Sequence, residues 1–383
     1  MKIYLDNAAT TPMDPEVIEA MIPWMRDHFG NPSSTHQFGR KTKSAIENSR
    51  RAIAYHLNAS PGEICFTSGG TEADNIAIRS SIQDLGVTHI ITSPLEHKAV
   101  LTTSELFQER GTIRMSLVRL TSNGHVDLDH LNELLQTEDK TLVSLMHGNN
   151  EIGNILPLKE VGEMCREAGA YFHSDTVQTM CHYAFDLSDV HVHFITGAAH
   201  KFHGPKGCGF LYINKSLKIK AQITGGGQER QLRGGTENLL GIMGLNKAME
   251  VAYRDLEAHQ VHVSGIKQYM VTQLKEALPG VEFNGDSASL DSLYTVLNVN
   301  LPKCQNAAMM LFLLDLEGIA CSGGSACSSG ATQGSHVLMA LGAIREGRPC
   351  LRFSFSKNTT REEIDYAVEK VCALCDVRIG ETV

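Results

Sequence analysis

The sequence contains no run of ~18 apolar residues, the length a helix needs to cross a bilayer. Its first eleven residues carry Asp6 and no apolar core, so they do not read as a secretory signal. No membrane association is expected, and the expected setting is cytoplasmic. An excess of positive charge is also missing. Lys and Arg total 34 against 43 Asp and Glu, a net charge of −9. The basic clusters are small, Arg50-Arg51 and the stretch 215–220, and no basic stripe marks a direct nucleic-acid binder. The ten cysteines form no regular framework, and in a reducing compartment they are expected as thiols. Cys372 and Cys375 are spaced like half a zinc or redox motif but have no second pair, so they read as packing residues one helical turn apart. There is no Walker A signature, no internal repeat and no low-complexity tract.

What is present is an ordinary globular composition, 42% hydrophobic and 20% charged. The 383 residues set a prior of two or three domains at roughly 150 residues each. From 64 to 213, short apolar runs (Ile64-Cys-Phe, His89-Ile-Ile-Thr, 113–117, 142–146, Tyr171-Phe-His, Val192-His-Phe-Ile) alternate with helical stretches such as 71–81, 99–110, 128–136 and 158–168. That alternation predicts βαβ units, an α/β fold with a mostly parallel sheet flanked by helices. The run 208–213 follows its predecessor through a loop alone, which allows one antiparallel strand. Residues 239–278 read as helical with a hinge near His259. Beyond Pro279-Gly280, a half-solvated strand pattern (296–301), a helix (307–316), a Gly/Ser-rich loop (322–330), a strand (351–355) and a last helix (361–375) predict a smaller α/β unit.

Three segments carry chemistry. Thr67-Ser-Gly-Gly-Thr-Glu-Ala-Asp-Asn75 ends a strand, turns on glycines and opens a helix whose free N–H groups suit a phosphate; alone, it is equally a capped strand-to-helix turn. Lys201, in a loop dense with His, Gly and Pro (199–207), is placed for the desolvation that lowers an amine pKa and suits Schiff-base chemistry. Asp175, at the end of a short strand that should be central in the sheet, needs a cationic or hydrogen-bonding partner. The pyridine nitrogen of pyridoxal 5'-phosphate is such a partner. Asp175 and Lys201 sit at the ends of successive strands and can reach one crevice. A fourth segment, Cys321-Ser-Gly-Gly-Ser-Ala-Cys327-Ser-Ser-Gly, puts Cys327 on a loop where a thiolate could act as nucleophile. Arg352, on the strand that follows, could clamp a carboxylate or serve a structural ion pair.

With these motifs in this order, the sequence resembles the group I cysteine desulfurases of the class V aminotransferase family, which are fold type I pyridoxal-phosphate enzymes. Matching stretches run from Leu5-Asp-Asn-Ala-Ala-Thr-Thr-Pro12 to the last helix, through Gly30-Asn-Pro-Ser-Ser, Glu96-His97-Lys98, Asn149-Asn-Glu-Ile-Gly153, 175–178, His200-Lys201, Gly225-Gly-Gly-Gln-Glu and Gly235-Thr236-Glu-Asn. The Gly324-Ser-Ala-Cys327 loop is what marks group I. The resemblance implies a large cofactor-binding domain over 15–258, and a small domain of 1–14 and 259–383 carrying the cysteine loop. It implies that Lys201 holds the cofactor and moves protons, that Asp175 keeps the ring nitrogen protonated, and that His97 stacks on the ring. Gln178 would bond the ring's phenolic oxygen, and Asn150 would touch ring and substrate. Gly70, Thr71 and His200 would bind the phosphate. Thr236 would reach the phosphate of a neighbouring subunit in a homodimer, and Arg352 would hold the substrate carboxylate. Cys327 would take sulfur from L-cysteine as a persulfide, leaving alanine, for an acceptor such as an iron–sulfur scaffold protein.

Where the family usually has Ser two residues before the His of the His-Lys pair, this chain has Ala198, which implies weaker cofactor retention. Cys321 could accept the persulfide or close a disulfide with Cys327; the plainer reading is a small packing residue at a strand end. His191 and His193 would need a third ligand to hold a metal, and no metal is expected. The rival readings are a selenocysteine lyase, another class V pyridoxal-phosphate aminotransferase, a non-catalytic assembly partner, and a zinc-binding module. Cys327 argues against an aminotransferase, and the presence of Lys201, Asp175 and Cys327 together argues against a partner that has lost its chemistry.

Overall fold

A computed structural model describes residues 1–323 and 334–375. The chain begins with a two-residue strand, β1 (Ile3–Tyr4). The central sheet follows with β2 (Ile64–Thr67), β3 (His89–Thr92), β4 (Arg114–Leu117), β5 (Thr141–Ser144), β6 (Tyr171–Asp175), β7 (Phe194–Ala198) and β8 (Gly209–Ile213). Their order across the sheet is β2-β8-β7-β6-β5-β3-β4. The pairs β3–β4, β3–β5, β5–β6 and β6–β7 are parallel, and β8 runs antiparallel to both its neighbours. The sheet is thus the mostly parallel one the alternating pattern predicts, including the reversed strand at 209–213.

Helices cover both faces, and the strands explain why they must. Every residue of β2, β3, β5, β7 and β8 is buried, so neither face can meet water. On one face Ile46, Ile53, Phe66, Val143, Phe172, Ile195 and Met249 pack together. On the other, Ile78, Ile82, Ile90, Val100, Phe107 and Leu142 form a separate cluster. None of the helices among the described residues is long and apolar enough to span a membrane.

A second core is built around β9 (Glu282–Phe283), β10 (Val296–Asn300), β11 (Ile319–Ala320) and β12 (Cys350–Ser354). β10 pairs antiparallel with both β9 and β12. β1 pairs in parallel with β11, which places Ile3 and Leu5 in this core. The last helix, Arg361–Leu374, opens on a capping box between Thr360 and Glu363, and it buries Cys372 and Cys375 against the Leu256–Ala277 helix side of that core. Both residues of the Cys-x-x-Cys pair are therefore packing residues. The helical stretch expected over 239–278 breaks at Asp255, between helices Leu239–Arg254 and Leu256–Ala277, rather than near His259. His259 lies within the second helix, in its first turn.

The loop from 225 to 238 is anchored by a buried ion pair. Arg50 donates to both carboxylate oxygens of Glu229, at 2.7 and 2.9 Å, and to the Ile64 carbonyl at 2.7 Å. Glu229 also accepts from the Phe66 amide at 2.8 Å. Glu229, Arg230 and Gln231 all have positive φ, at 44°, 56° and 67°. Three consecutive left-handed residues without glycine cost energy, and the Glu229 clamp offsets it. Arg50→Met should destabilise the protein by about 3–5 kcal/mol, because it strands a buried carboxylate. Arg50→Met/Glu229→Leu should recover part of that loss. Urea unfolding of both variants checks the ordering; a double variant no more stable than the single one would contradict it.

Candidate active site

The strand order reverses between β3 and β5, with β4 on one side and the rest of the sheet on the other. Crevices of this kind, at the carboxyl ends of the strands, are where open α/β sheets bind ligands. Five strand ends deliver side chains there: β2 leads into Gly70 and Thr71, β3 into His97, β5 into Asn150, β6 ends on Asp175, and β7 leads into His200 and Lys201. All seven residues line one cavity of about 280 Å³, together with Gln178 and Arg352. Of the remaining site residues expected from sequence, Thr236 lies elsewhere, beside Thr67, Ser68 and Gly207. Cys327 lies outside the described residues.

The floor of the cavity is acidic and buried. Asp175 accepts from the Val177 amide at 2.9 Å. Burial pushes its pKa up to about 6, with the nearby Asp74 carboxyl acting in the same direction and His97 against it. Asp74, Asp175 and His97 each bring a polar atom within 4.8 Å of the others. Burial raises Asp74 to about 7. Its Oδ1 has no hydrogen-bond partner among the described residues, although His173 Nε2 lies 3.4 Å away. Burial holds His173 near 4, so that ring is neutral and the contact is not an ion pair. Glu96 is buried too, well above the usual carboxylate range, with one oxygen on the Met146 amide at 2.9 Å and the other unpartnered.

The walls are cationic or neutral. Lys201 Nζ donates to the carbonyls of Ala8, at 2.5 Å, and Ala9, at 3.0 Å. His200 is pushed down to about 4 by burial, with Lys201 and Lys206 adding to the effect. His97 caps its helix by accepting from the Ala99 amide at 3.1 Å, and burial lowers its pKa as well. Gln178 is held by donation to the Ala8 carbonyl at 3.0 Å. Arg352 is almost fully buried; it donates to Asp6 Oδ1 at 2.8 Å and to the Asn150 carbonyl at 3.0 Å, and its Nε has no partner among the described residues. The structural ion pair and the cavity position are therefore both real for Arg352.

These residues fit pyridoxal phosphate. A buried carboxyl with a raised pKa on the floor is the group a protonated ring nitrogen would stabilise as an anion. The helix Gly70–Gln83 opens at the cavity with its first amides. A Cβ at Gly70 would lie 2.8 Å from Val177 Cγ2, so the close approach of backbone at that turn requires glycine. Lys201 stands between floor and N-terminal segment, within reach of the same space.

Several cavity residues escaped the sequence reading. Asp74 was in view within the 67–75 motif, three residues after Thr71 and so on the same helix face. Glu151 was in view within Asn149–Gly153. Nothing local announced Ala8 and Ala9, or His336. Glu151 accepts a hydrogen bond from the Ser335 hydroxyl, and His336 Nε2–H donates to the Glu96 carbonyl at 2.9 Å. On the other side, Ser322 exchanges backbone hydrogen bonds with Arg352, at 3.1 and 2.6 Å. Ser322 and Ser335 thus each bond to a residue of the cavity wall.

Comparison with known proteins matches this geometry. The family model for class-V aminotransferases covers residues 3–367. The chain belongs to the aminotransferase class-V family. Among its relatives, "Cysteine desulfurase IscS" of Dictyoglomus turgidum is 40% identical over 96% of this chain and 93% of the relative. The protein of the same name from Methanosarcina thermophila is also 40% identical, over 96% and 91%. A solved "NifS-like protein" superposes with a TM-score of 0.88 at 36% identity, covering 97% of this chain and 98% of the other. A structure described as "SspA in complex with cysteine" gives 0.80 at 30% identity, over 94% and 100%.

The acidic floor has a measurable consequence in the cofactor-free protein. Asp74 and Asp175 both have folded-state pKa values above their unfolded values, so the fold favours the neutral acids. Below about pH 4 both states are protonated and the effect vanishes. As pH rises towards about 7, the unfolded chain ionises while the folded one resists, and stability is lost across that window. Asp74→Asn should flatten this part of the pH–stability curve. Urea melts of cofactor-free wild type and variant at intervals from pH 4 to 7.5 test it, and parallel curves would contradict it.

Proposed function

We propose that the protein is a cysteine desulfurase that converts L-cysteine to L-alanine and receives the sulfur on Cys327. The observation that carries this reading is the convergence of Lys201, Asp175 and Arg352 on one cavity. Full-length similarity to proteins named cysteine desulfurase supports it.

Pyridoxal phosphate, when bound, supplies a sink for the electron pair released at the substrate Cα. Asp175 would hold the proton or positive charge at the ring nitrogen, and the ionisation that burial opposes would be offset there. The Gly70–Gln83 helix start, Thr71 and His200 would seat the phosphate. His97, kept neutral by burial, would lie against the ring. Gln178 and Asn150 would position ring and substrate, and Arg352 would take the substrate carboxylate. Lys201 would carry the proton removed from Cα. The Cys327 thiolate would attack the substrate sulfur; an S–S bond forms as the Cβ–S bond breaks, and carbon keeps that electron pair and gains a proton. Thiol plus cysteine gives persulfide plus alanine, so no external oxidant or reductant is needed.

The finer points belong to the same reading. Thr236, placed away from its own cavity, would serve that of a second copy in a homodimer. The persulfide would pass to an acceptor such as an iron–sulfur scaffold protein. A cytoplasmic setting suits free thiols such as those of Cys65, Cys165, Cys181 and Cys208. Cys321 packs against the second core, and burial pushes its thiol up to about 12, which favours a packing role over sulfur relay.

The purified protein should show the absorbance of a lysine-bound cofactor and release alanine and sulfide from L-cysteine. Cys327→Ala should keep the absorbance and lose at least about 100-fold of turnover; unaffected turnover would remove the persulfide step and leave a simple lyase or aminotransferase. Ala198, whose side chain lines the cavity near Gly70, offers a second check. Ala198→Ser adds a hydroxyl worth about 1 kcal/mol if it reaches the phosphate. The cofactor dissociation constant should fall roughly fivefold, and an unchanged constant would show that no such bond forms.

A further inference from the structure

Behind the segment that carries Lys201 lies a second cavity, of about 300 Å³, that shares no lining residue with the first. Phe202, Ala248, Val251 and Ala252 give it an apolar wall. His203 and His259 contribute polar atoms, and their tautomers follow from their partners. His203 Nδ1 lies 2.8 Å from the Pro12 carbonyl, which can only accept, so Nδ1 bears the hydrogen. Burial keeps the ring neutral, which leaves Nε2 a bare acceptor. That atom is buried and has no partner among the described residues, on a residue 8% exposed.

The second histidine is fixed by a relay. His182 Nε2 must donate to the Lys201 carbonyl at 3.1 Å. Its Nδ1 then accepts from the Tyr294 hydroxyl at 3.2 Å, a hydrogen shared with the His182 carbonyl. The Tyr294 oxygen in turn accepts from His259 Nδ1–H at 3.0 Å. Burial holds His182 and His259 neutral, so His259 is left with Nε2 as an acceptor. The charges at the cavity edge are already satisfied: Asp14 pairs with Lys357, and Asp255 with Arg254.

An apolar cavity of this size with a few fixed polar groups is how small-molecule sites are built. Here the fixed groups are acceptors, one buried and unpartnered, and the net charge offered is nil. A metal is not indicated, because these nitrogens do not cluster with ligating atoms of other residues at metal distances among the described residues. We propose that this cavity is a binding site for a small, neutral, mostly apolar molecule that carries an O–H or N–H donor for His203 Nε2. Phe202 and His203, the two residues that follow Lys201, line it, so the site borders the catalytic segment.

The test compares 4-ethylphenol with 4-ethyltoluene, which replaces the hydroxyl by a methyl, on the purified protein with its cofactor bound. Calorimetry and the ¹⁵N resonances of the histidine rings provide the readouts. The phenol should bind saturably and at least about tenfold tighter than the toluene, and it should move the Nε2 resonances of His203 and His259. His203→Phe should remove the preference. Equal affinity of the two probes for wild type, no binding of either up to solubility, or shifts confined to His97 and His200 would each overturn the proposal. Because the paired probes are compared on wild type, failure of the variant to fold does not spoil the test.

Discussion

The constraint on which the rest of the site depends is the cost of burying Asp175. A carboxyl at the end of a central strand, with Asp74 and Glu96 close by, is pushed towards its neutral form by its surroundings. Such a floor is unfavourable for the apo-protein and favourable for a ligand that brings a cation to it. The parallel sheet makes this arrangement possible. β6 is flanked on both sides by parallel neighbours, so its last residue comes out at the cavity, with the Val177 amide on its carboxylate. Lys201 Nζ reaches from the same cavity to the carbonyls of Ala8 and Ala9.

Those two carbonyls show how the N-terminal segment completes the site. Residues 5–14 run between the two cores and bond to both. Thr11 accepts at its hydroxyl from the His203 amide and donates to the His200 carbonyl, while Asn7 and Ala8 are fixed on Ser354. Gln178 reaches the same Ala8 carbonyl. A single extended segment therefore sets the position of Lys201 relative to the strand that bears Arg352. Shifting it by a few tenths of an ångström would move both ends of the substrate site together, which is the kind of displacement that catalytic geometry tolerates poorly.

Much of this was legible in the sequence because the signals were local. The strand–helix alternation from 64 to 213 reflects strands buried on both faces, and burial imposes continuous apolar runs whatever the function. Asp175 and Lys201 stood out because a charge at the end of such a run demands a reason. The misses are of a different kind. β7 begins at Phe194 rather than Val192 because the His193 ring turns back to accept from the Phe172 amide. Asp255 rather than His259 ends the helix because its own backbone leaves helical geometry there. Ala8, Ala9, His336 and Glu96 act through contacts with residues far along the chain, and no periodicity records those. The His182–Tyr294–His259 relay is equally invisible, being assembled from three distant segments.

Arg352 shows most clearly how stability and function share one residue. A guanidinium this deeply buried cannot stand without an anion, since leaving it unpaired would cost several kcal/mol. Asp6 meets that need, at 2.8 Å, while the Asn150 carbonyl takes a second N–H. Nε remains unpartnered among the described residues. A substrate carboxylate arriving from the cavity could take N–H groups that these two contacts leave over, or compete for those they use, so one anion would replace or join another and the local charge balance would change little. Asp6 is also more exposed than Arg352, with 19% of its side chain accessible against 1%, so water can take up the hydrogen bonds it gives away. The exchange costs less on the Asp6 side than it would between two buried partners. The same pair that lets the fold tolerate a buried cation can therefore keep that cation oriented for a substrate.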